Sequence, residues 1–279
     1  STAMVISNIG AIPVFADMDP KTYNIDVNKI EEKITKKTKA IIPVHLYGQA
    51  ADMDPIIKIA RKYNLIIIED CCQAHGAKYK GKSLPYTETG AFSFYPGKNL
   101  GSFGDSGAVV TNNMEIKEKL EYLRNDGAKK KYEHKMLGYK SRLDTLQAAI
   151  LSFKLKHLDE FVEKRRNAAR LYNKKLASIK QITTPYEAGY AFHAFHIYAI
   201  LCDKRDELQK HLLKAGVQTI IHYPTPIHLQ TPYIKIGFKA GDFPLSESFA
   251  EKELSLPIFP EITEEEISYV CEKIAKFYN

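Results

Sequence analysis

Lys98 stands between a short run of strand-forming residues, Phe92-Ser93-Phe94-Tyr95, and a loop punctuated by Gly97 and Gly101. A free lysine ammonium, with a pKa near ~10.4, is no nucleophile at neutral pH. A lysine in such a place does chemistry only when its surroundings lower that pKa or its amine is consumed in a bond. An acid lies upstream of it. Asp70 closes the apolar run Leu65-Ile66-Ile67-Ile68 after Glu69, Gln73 follows within one turn, and Ser93 precedes the lysine. Singly, each has a plain structural explanation: a strand-end aspartate forms a turn, and a lone lysine sits on the surface. The set is the signal.

The elements that must position these groups alternate. Ile12 to Met18 reads as a strand ending in the turn Asp17-Met18-Asp19-Pro20. Asp26 is placed to cap an amphipathic helix over 27–36, and an apolar strand follows at Ala40 to Leu46. A helix over 53–63 leads to the strand 65–68 that ends at Glu69-Asp70. Phe92 to Tyr95 and Gly107 to Thr111 are further short strands, and Glu115 to Asn125 is a helix. Strands separated by helices of this length predict an α/β fold, a mostly parallel sheet covered on both faces. Functional groups then belong at the carboxyl ends of strands, where Asp70 and Lys98 fall. Arg142 to about Ala177 reads as a long, weakly interrupted helical connector. A strand near 194–201, a helix near 205–215 and a closing helix near 263–278 suggest a small α+β unit. The expected division is a large domain over 1–150 and a connector plus small C-terminal domain over 151–279.

Composition excludes several classes. At 44% hydrophobic and 26% charged, the chain is ordinary globular protein. No apolar run approaches the ~18 residues that span a bilayer, and no signal peptide is visible. The expectation is a cytoplasmic protein with no membrane partner. The net charge of +7 is spread among interspersed acids and bases, with no basic block wider than Lys129-Lys130-Lys131, so no nucleic-acid partner is expected. Cys71, Cys72, Cys202 and Cys271 form neither a metal-spaced set nor a disulfide framework. Ser1 to Asn8 reads as the back half of a helix closed by Gly10, with no cap before it and no initiator Met, so the sequence is expected to be a fragment lacking the start of its first domain.

Tempting matches fail on inspection. Gly104-Asp105-Ser106-Gly107 resembles a trypsin-like nucleophile segment, but that fold is all-β. Gly97-Lys98 lacks the first Gly and the Ser/Thr of a phosphate-binding P-loop. The glycines at 97, 101, 104 and 107 better serve tight backbone packing beside a cofactor or a neighbouring subunit. His193 and His196, three apart in a β-leaning stretch, point to opposite faces, so no metal site is expected. His222 and His228, in a Pro-bearing loop, are the better candidates for a polar substrate contact.

Asp70, Gln73, Ser93 and Lys98 together resemble the DegT/DnrJ/EryC1/StrS family of pyridoxal-phosphate (PLP) dependent sugar aminotransferases. The resemblance runs from Gly10-Ala11-Ile12-Pro13-Val14-Phe15 through Pro43-Val44-His45-Leu46-Tyr47-Gly48 and Glu69-Asp70-Cys71-Cys72-Gln73-Ala74-His75-Gly76-Ala77. It continues into Arg142-Leu143-Asp144-Thr145-Leu146-Gln147, His222-Tyr223-Pro224 and Ser255-Leu256-Pro257. It implies an aspartate-aminotransferase-like fold (PLP fold type I) and a PLP cofactor held by Lys98 as a Schiff base. By that likeness Asp70 pairs with the pyridinium nitrogen, Gln73 bonds the ring-hydroxyl side, and Ser93 donates to the phosphate. Lys140 stands where the family usually has an Asn that reaches the phosphate bound in the partner subunit, and a lysine there implies a longer, less directional, charge-assisted contact to the cofactor. The family's likeness also implies a homodimer with shared active sites, and weak PLP binding if the first segment is absent.

The implied reaction moves an amino group from an amino-acid donor, glutamate, to a nucleotide-linked keto-deoxysugar. The Asn99-Leu100-Gly101 and Gly104-Asp105 runs look more like members that aminate C3 than C4. Two alternatives stand beside it. One is a non-catalytic or truncated member acting as a binding or regulatory module. The other is a PLP-dependent sugar dehydratase, against which the lysine at 98 speaks, because dehydrating relatives resemble histidine there.

Overall fold

A computed structural model describes residues 1–279, and it is an α/β structure. Ala40–Ile41 pairs in parallel with Ile66–Ile67, and Glu69–Asp70 pairs in parallel with Thr89–Ser93. Val44 bridges Asp70 in parallel, and Gly107–Thr111 closes the series antiparallel to Thr89–Ser93. Asp70 and Ser93 therefore end adjacent strands, and Lys98 lies in the turn after the second. The expected strand over 40–46 is interrupted because Pro43 has no N–H to donate, although its carbonyl still accepts from the Asp70 N–H at 2.9 Å. The sheet is not covered on both faces as the pattern predicted: Ile66 is 63% exposed, and Val109 and Val110 are also exposed.

Two other expected elements differ. The 27–36 helix is two single 3-10 turns, Val27–Lys29 and Glu31–Lys33, although Asp26 does cap the first. The three-residue spacing of Val27 and Ile30 suits a 3-10 turn, where such side chains eclipse. Ile12 to Met18 joins no ladder beyond one bridge from Met18 to Ile25. There Phe15 packs against Tyr233, Phe238 and Phe243, and the Asp17 carboxylate caps Leu245 and Ser246 at the start of the helix Pro244–Lys252.

The connector is two helices, Thr145–Leu155 and Leu158–Leu176, divided where Lys156 and His157 bond back three residues instead of four. The second helix serves two hydrophobic cores. Val162 packs with Ile41, Met53, Ile56, Ala60 and Tyr79 beside the first sheet. Ala168, Ala169, Tyr172 and Leu176 pack with Ile200, Leu208, Leu254, Ile267 and Ile274. This second core includes the strands Tyr198–Cys202 and Glu253–Leu256, which are antiparallel with Ile182–Thr183 at the edge, and the helices Arg205–Lys214 and Glu264–Tyr278. Between the two groups the buried Arg165 donates to the carbonyls of Phe195 (3.2 Å) and Ile258 (3.0 Å). No helix is long and apolar enough to cross a membrane.

The turn Leu46–Gly48 ties the first core to the strand that enters the second. The Ala194 N–H donates to the Gly48 carbonyl (2.8 Å) and the His196 N–H to the Tyr47 carbonyl (2.9 Å). Gly48 has φ +100°, and a Cβ there would lie 3.0 Å from the backbone nitrogens of Phe195 and His196. Gly48→Ala should therefore cost about 1–3 kcal/mol of stability, read by urea denaturation. An unchanged midpoint would show that this close approach relaxes freely.

Candidate active site

The site begins with two acids facing opposite ways. Successive side chains on a strand alternate in direction. Glu69 turns inward and is fully buried, meeting His45 Nε2 at 2.8 Å, the Tyr86 N–H at 2.8 Å and the Thr87 hydroxyl at 2.5 Å. Asp70 turns the other way. Its Oδ1 accepts from the Cys72 N–H (3.0 Å) and its Oδ2 from the Thr2 hydroxyl (2.6 Å), which leaves lone pairs on the carboxylate for a further donor. His45, Glu69 and Cys71 lie close enough together to suggest a metal trio. His45 Nδ1, however, accepts from the Ala51 N–H, so its Nε2 carries the proton given to Glu69, and burial pushes the Cys71 thiol far up.

Lys98 is fixed by the loop that follows Ser93. Its N–H bonds the Tyr95 carbonyl (2.9 Å), and the Ser102 N–H and hydroxyl both bond the Phe94 carbonyl (2.8 Å). Next to it, the buried Asn99 donates to the Ala194 carbonyl at 3.0 Å. Only glycine fits at 101, where a Cβ would lie 2.4 Å from the Pro96 carbonyl oxygen. Gly101 and Gly107, where a Cβ would lie 2.8 Å from the Phe92 carbonyl oxygen, are thus packed against the chain's own backbone, while Gly97 and Gly104 meet only side chains at 3.4 Å or more. Ser93 accepts from the Tyr95 N–H at 3.3 Å and keeps its own proton to donate. Burial lowers the pKa of the Lys98 ammonium, and the negative charge of Asp70 opposes it. Asp70 ends the strand that pairs with Thr89–Ser93, and Lys98 lies in the turn just after that partner, so the two share one neighbourhood.

Three histidines share it, and all are held neutral by burial first and then by the positive charge of Lys98. Burial brings His75 down to about 4, and His196 and His222 are also lowered. His75 lies against Phe92 and Phe94, and neither of its ring nitrogens has a partner. Across the site, Gln73 Oε1 accepts from the Tyr47 N–H (2.7 Å) and Gln73 Nε2 donates to the Tyr223 hydroxyl (3.1 Å). The Tyr47 hydroxyl bonds the His222 carbonyl, which closes a ring of contacts.

Of the residues singled out from sequence, Asp70, Gln73, Ser93, Lys98 and His222 come together. His228 does not join them: it is buried against Phe243 with Nε2 on Glu247 at 2.9 Å. Lys140 is exposed on a segment bridged to Asn125, with no contact to the others. Spacing gives no role to Tyr47, His75, His196 or Tyr223. Tyr47, His75 and Tyr223 do fall in the segments that carry the family resemblance, and for His75 and Tyr223 nearness in sequence to Gln73 and His222 is the available signal. The donor set fits PLP: an amine for the aldehyde, a carboxylate for the ring nitrogen, an amide for the hydroxyl side and a hydroxyl for the phosphate.

Fold and site together define a PLP-dependent aminotransferase of the aspartate-aminotransferase-like fold. The chain belongs to the DegT/DnrJ/EryC1/StrS aminotransferase family, whose model matches residues 1–275. It is 50% identical over 281 residues to a "Pleiotropic regulatory protein" of Geobacillus stearothermophilus, covering 100% of this chain and 76% of that protein. It is 46% identical over 280 residues to the dTDP-3-amino-3,6-dideoxy-alpha-D-galactopyranose transaminase of Aneurinibacillus thermoaerophilus, covering 99% of this chain and 76% of that one. Among solved structures, S. venezuelae DesV in complex with a ketimine intermediate superposes with a TM-score of 0.97 at 40% identity, covering 100% of this chain and 75% of that one.

His75 sets an acid limit on stability. Its pKa is depressed in the fold, so between the usual histidine value and about 4 the unfolded chain binds a proton that the folded chain refuses. Stability is complete above that window and falls as pH drops through it. In His75→Leu, denaturation midpoints measured from pH 7 downward should fall less steeply than in the unaltered chain, and parallel curves would remove His75 from the account.

Proposed function

We propose that this protein transfers an amino group from glutamate to the C3 keto group of a nucleotide-linked deoxysugar. The observation that carries the reading is the assembly of Asp70, Gln73, Ser93 and Lys98 at the ends of two adjacent strands and the turn that follows. The 3-amino sugar in the name of the Aneurinibacillus relative and the ketimine in DesV support the sugar and the chemistry.

When bound, PLP supplies an aldehyde that exchanges amines and a pyridinium that accepts electrons. The chain's residues do the rest. Lys98 holds the cofactor through its amine and, once released, carries a proton to and from the substrate carbon, for which its lowered pKa suits it. Asp70 keeps a proton on the ring nitrogen. Ser93 donates to the phosphate, and Gln73, braced by Tyr47 and Tyr223, faces the ring hydroxyl side. The half-buried His222 faces the sugar.

The quaternary reading is a homodimer. Leu137 (95% exposed) and Tyr139 flank the exposed Lys140 in sequence, and Phe103 (72% exposed), Leu146 and Phe153, on or beside the helix Thr145–Leu155, are also in solvent. A second copy covering these residues would carry Lys140 toward the neighbouring cofactor phosphate, a charge-assisted contact. We also assign residues 1–150 to a large cofactor-binding domain and 151–279 to the connector and a small domain. The second hydrophobic core supports that assignment, because it lies wholly within 168–274.

The regulatory name of the Geobacillus relative favours a second reading, a binding module without catalysis. Borohydride reduction of the PLP-loaded chain separates the two. A phosphopyridoxyl adduct on Lys98, absent from Lys98→Ala, is expected of the enzyme, while an untrapped wild-type chain would leave the module. Asp70→Asn should keep the adduct and lower turnover by at least ~100-fold, since it removes the group that keeps the ring nitrogen charged. For the dimer, Leu137→Glu should shift the sedimentation-equilibrium mass to that of one chain, and a wild-type chain that is already monomeric would overturn the quaternary reading.

A further inference from the structure

Glu253 and Ser255 take no part in the chemistry above, yet they form a buried polar pair next to it. They are two apart on the strand Glu253–Leu256 and so point to one face. Ser255 exchanges backbone hydrogen bonds with Ile220, which lays the segment leading to His222 along that strand. Glu253 is 0% exposed, and its carboxylate has two neutral donors, the His222 N–H at 2.6 Å and the Ser255 hydroxyl at 2.5 Å. The neighbouring guanidinium of Arg205 is bonded to the carbonyls of Ala250 and Glu253 and to Asp206, not to this carboxylate. A buried carboxylate without a cation bonded to it is expensive to keep. Burial accordingly pushes Glu253 up to about 7.

The side chain of Ser255 also touches His222 Nδ1 at 2.8 Å. A hydroxyl has one proton to give. When Glu253 is charged it takes that proton, so Ser255 must accept from His222, which then carries its proton on Nδ1. The opposite nitrogen, Nε2, has no protein partner, is not among the enclosed polar atoms and lies on a ring that senses the charge of Lys98. It is then a bare lone pair. When Glu253 is protonated the chain reverses: the acid donates to Ser255, Ser255 donates to Nδ1, and Nε2 carries the N–H.

We propose that Glu253 and Ser255 are positioning residues that set the ring tautomer of His222, and so decide whether its Nε2 meets the sugar substrate as a hydrogen-bond acceptor or as a donor. The substrate side of this inference rests on the aminotransferase reading, and the tautomer side does not. Lys98, His196, Tyr47 and Tyr223 face His222, and Tyr23, Tyr47, Tyr223, Cys202 and Arg205 face Glu253. Burial holds the tyrosines and the thiol protonated, which leaves Glu253 as the member of this chain that titrates near neutrality.

The test is a two-bond proton–nitrogen correlation spectrum of the PLP-loaded full chain labelled with 15N-histidine, with His222 assigned by its loss in His222→Asn. Well above pH 7, His222 should show a protonated Nδ1 and a bare Nε2. In Glu253→Gln the amide oxygen must face the His222 N–H, so its NH2 faces Ser255, and the proton should move to Nε2. Ser255→Ala should uncouple the ring from position 253, and Ser255→Thr should restore the wild-type spectrum. A His222 that stays Nδ1-protonated in Glu253→Gln, or that is already Nε2-protonated in wild type, overturns the proposal. If Glu253→Gln does not fold, the Ser255→Ala and Ser255→Thr pair decides it, and an unchanged spectrum in Ser255→Ala is the overturning result. With an acceptor turned into a donor, Glu253→Gln should raise KM for the nucleotide sugar roughly tenfold, with borohydride trapping on Lys98 intact. An unchanged KM beside a flipped tautomer overturns the substrate contact, whereas absent trapping in wild type refutes the aminotransferase reading and leaves the spectra to stand alone.

Discussion

Two adjacent carboxylates at the end of one strand cannot be treated alike by a fold, because strand geometry sends one inward. Here the inward acid, Glu69, is surrounded by donors from His45, Tyr86 and Thr87, and this fastens the strand end to the core. The outward acid, Asp70, is thereby held at a fixed height above the sheet, next to the strand that delivers Ser93 and Lys98. Everything that makes the site useful depends on that division of labour. Slip the strand by one residue and the anchoring acid would face the ligand while the functional acid was buried without its donors.

The electrostatics around Lys98 follow from the same frame. An amine that must react has to lose its proton at moderate cost, and burial supplies the push. The negative charge of Asp70 opposes that push. The histidines nearby add no positive charge, because burial and Lys98 itself keep them neutral. The site thus places one weakened cation opposite one carboxylate, with neutral polar groups on the other sides, which suits a ligand that is anionic at one end and cationic at its ring.

Much of this was legible from the residues alone. The apolar run ending in Glu69-Asp70 and the Gly-bracketed Lys98 located the strand ends, and helical periodicity placed 53–63, 205–215 and 263–278 within a residue or two of the helices found. The weaker elements were misjudged where local chemistry overrode pattern. Pro43 cut a strand that hydrophobicity alone would extend, and Ile12 to Met18 pairs with nothing beyond the bridge from Met18 to Ile25. His228 looked available because it sits in a Pro-bearing loop, but its partner Glu247 arrives from a helix that no local pattern connects to it. Tyr47, Tyr223 and Ser255 each fall in a segment that carries the family resemblance, but spacing could not group them, because long-range packing brings them together.

The long helix Leu158–Leu176 adds a mechanical consequence. Val162 belongs to one core and Ala169 to the other, a separation of about 10 Å along a continuous helix, and Arg165 between them clasps carbonyls on both approaching segments. Asp70 and Lys98 are rooted on the first side, and the strand behind His222 on the second. That rod acts as a spacer gauge: the distance between the frame behind Asp70 and Lys98 and the frame behind His222 is set by a length of helix and by the Arg165 clasp.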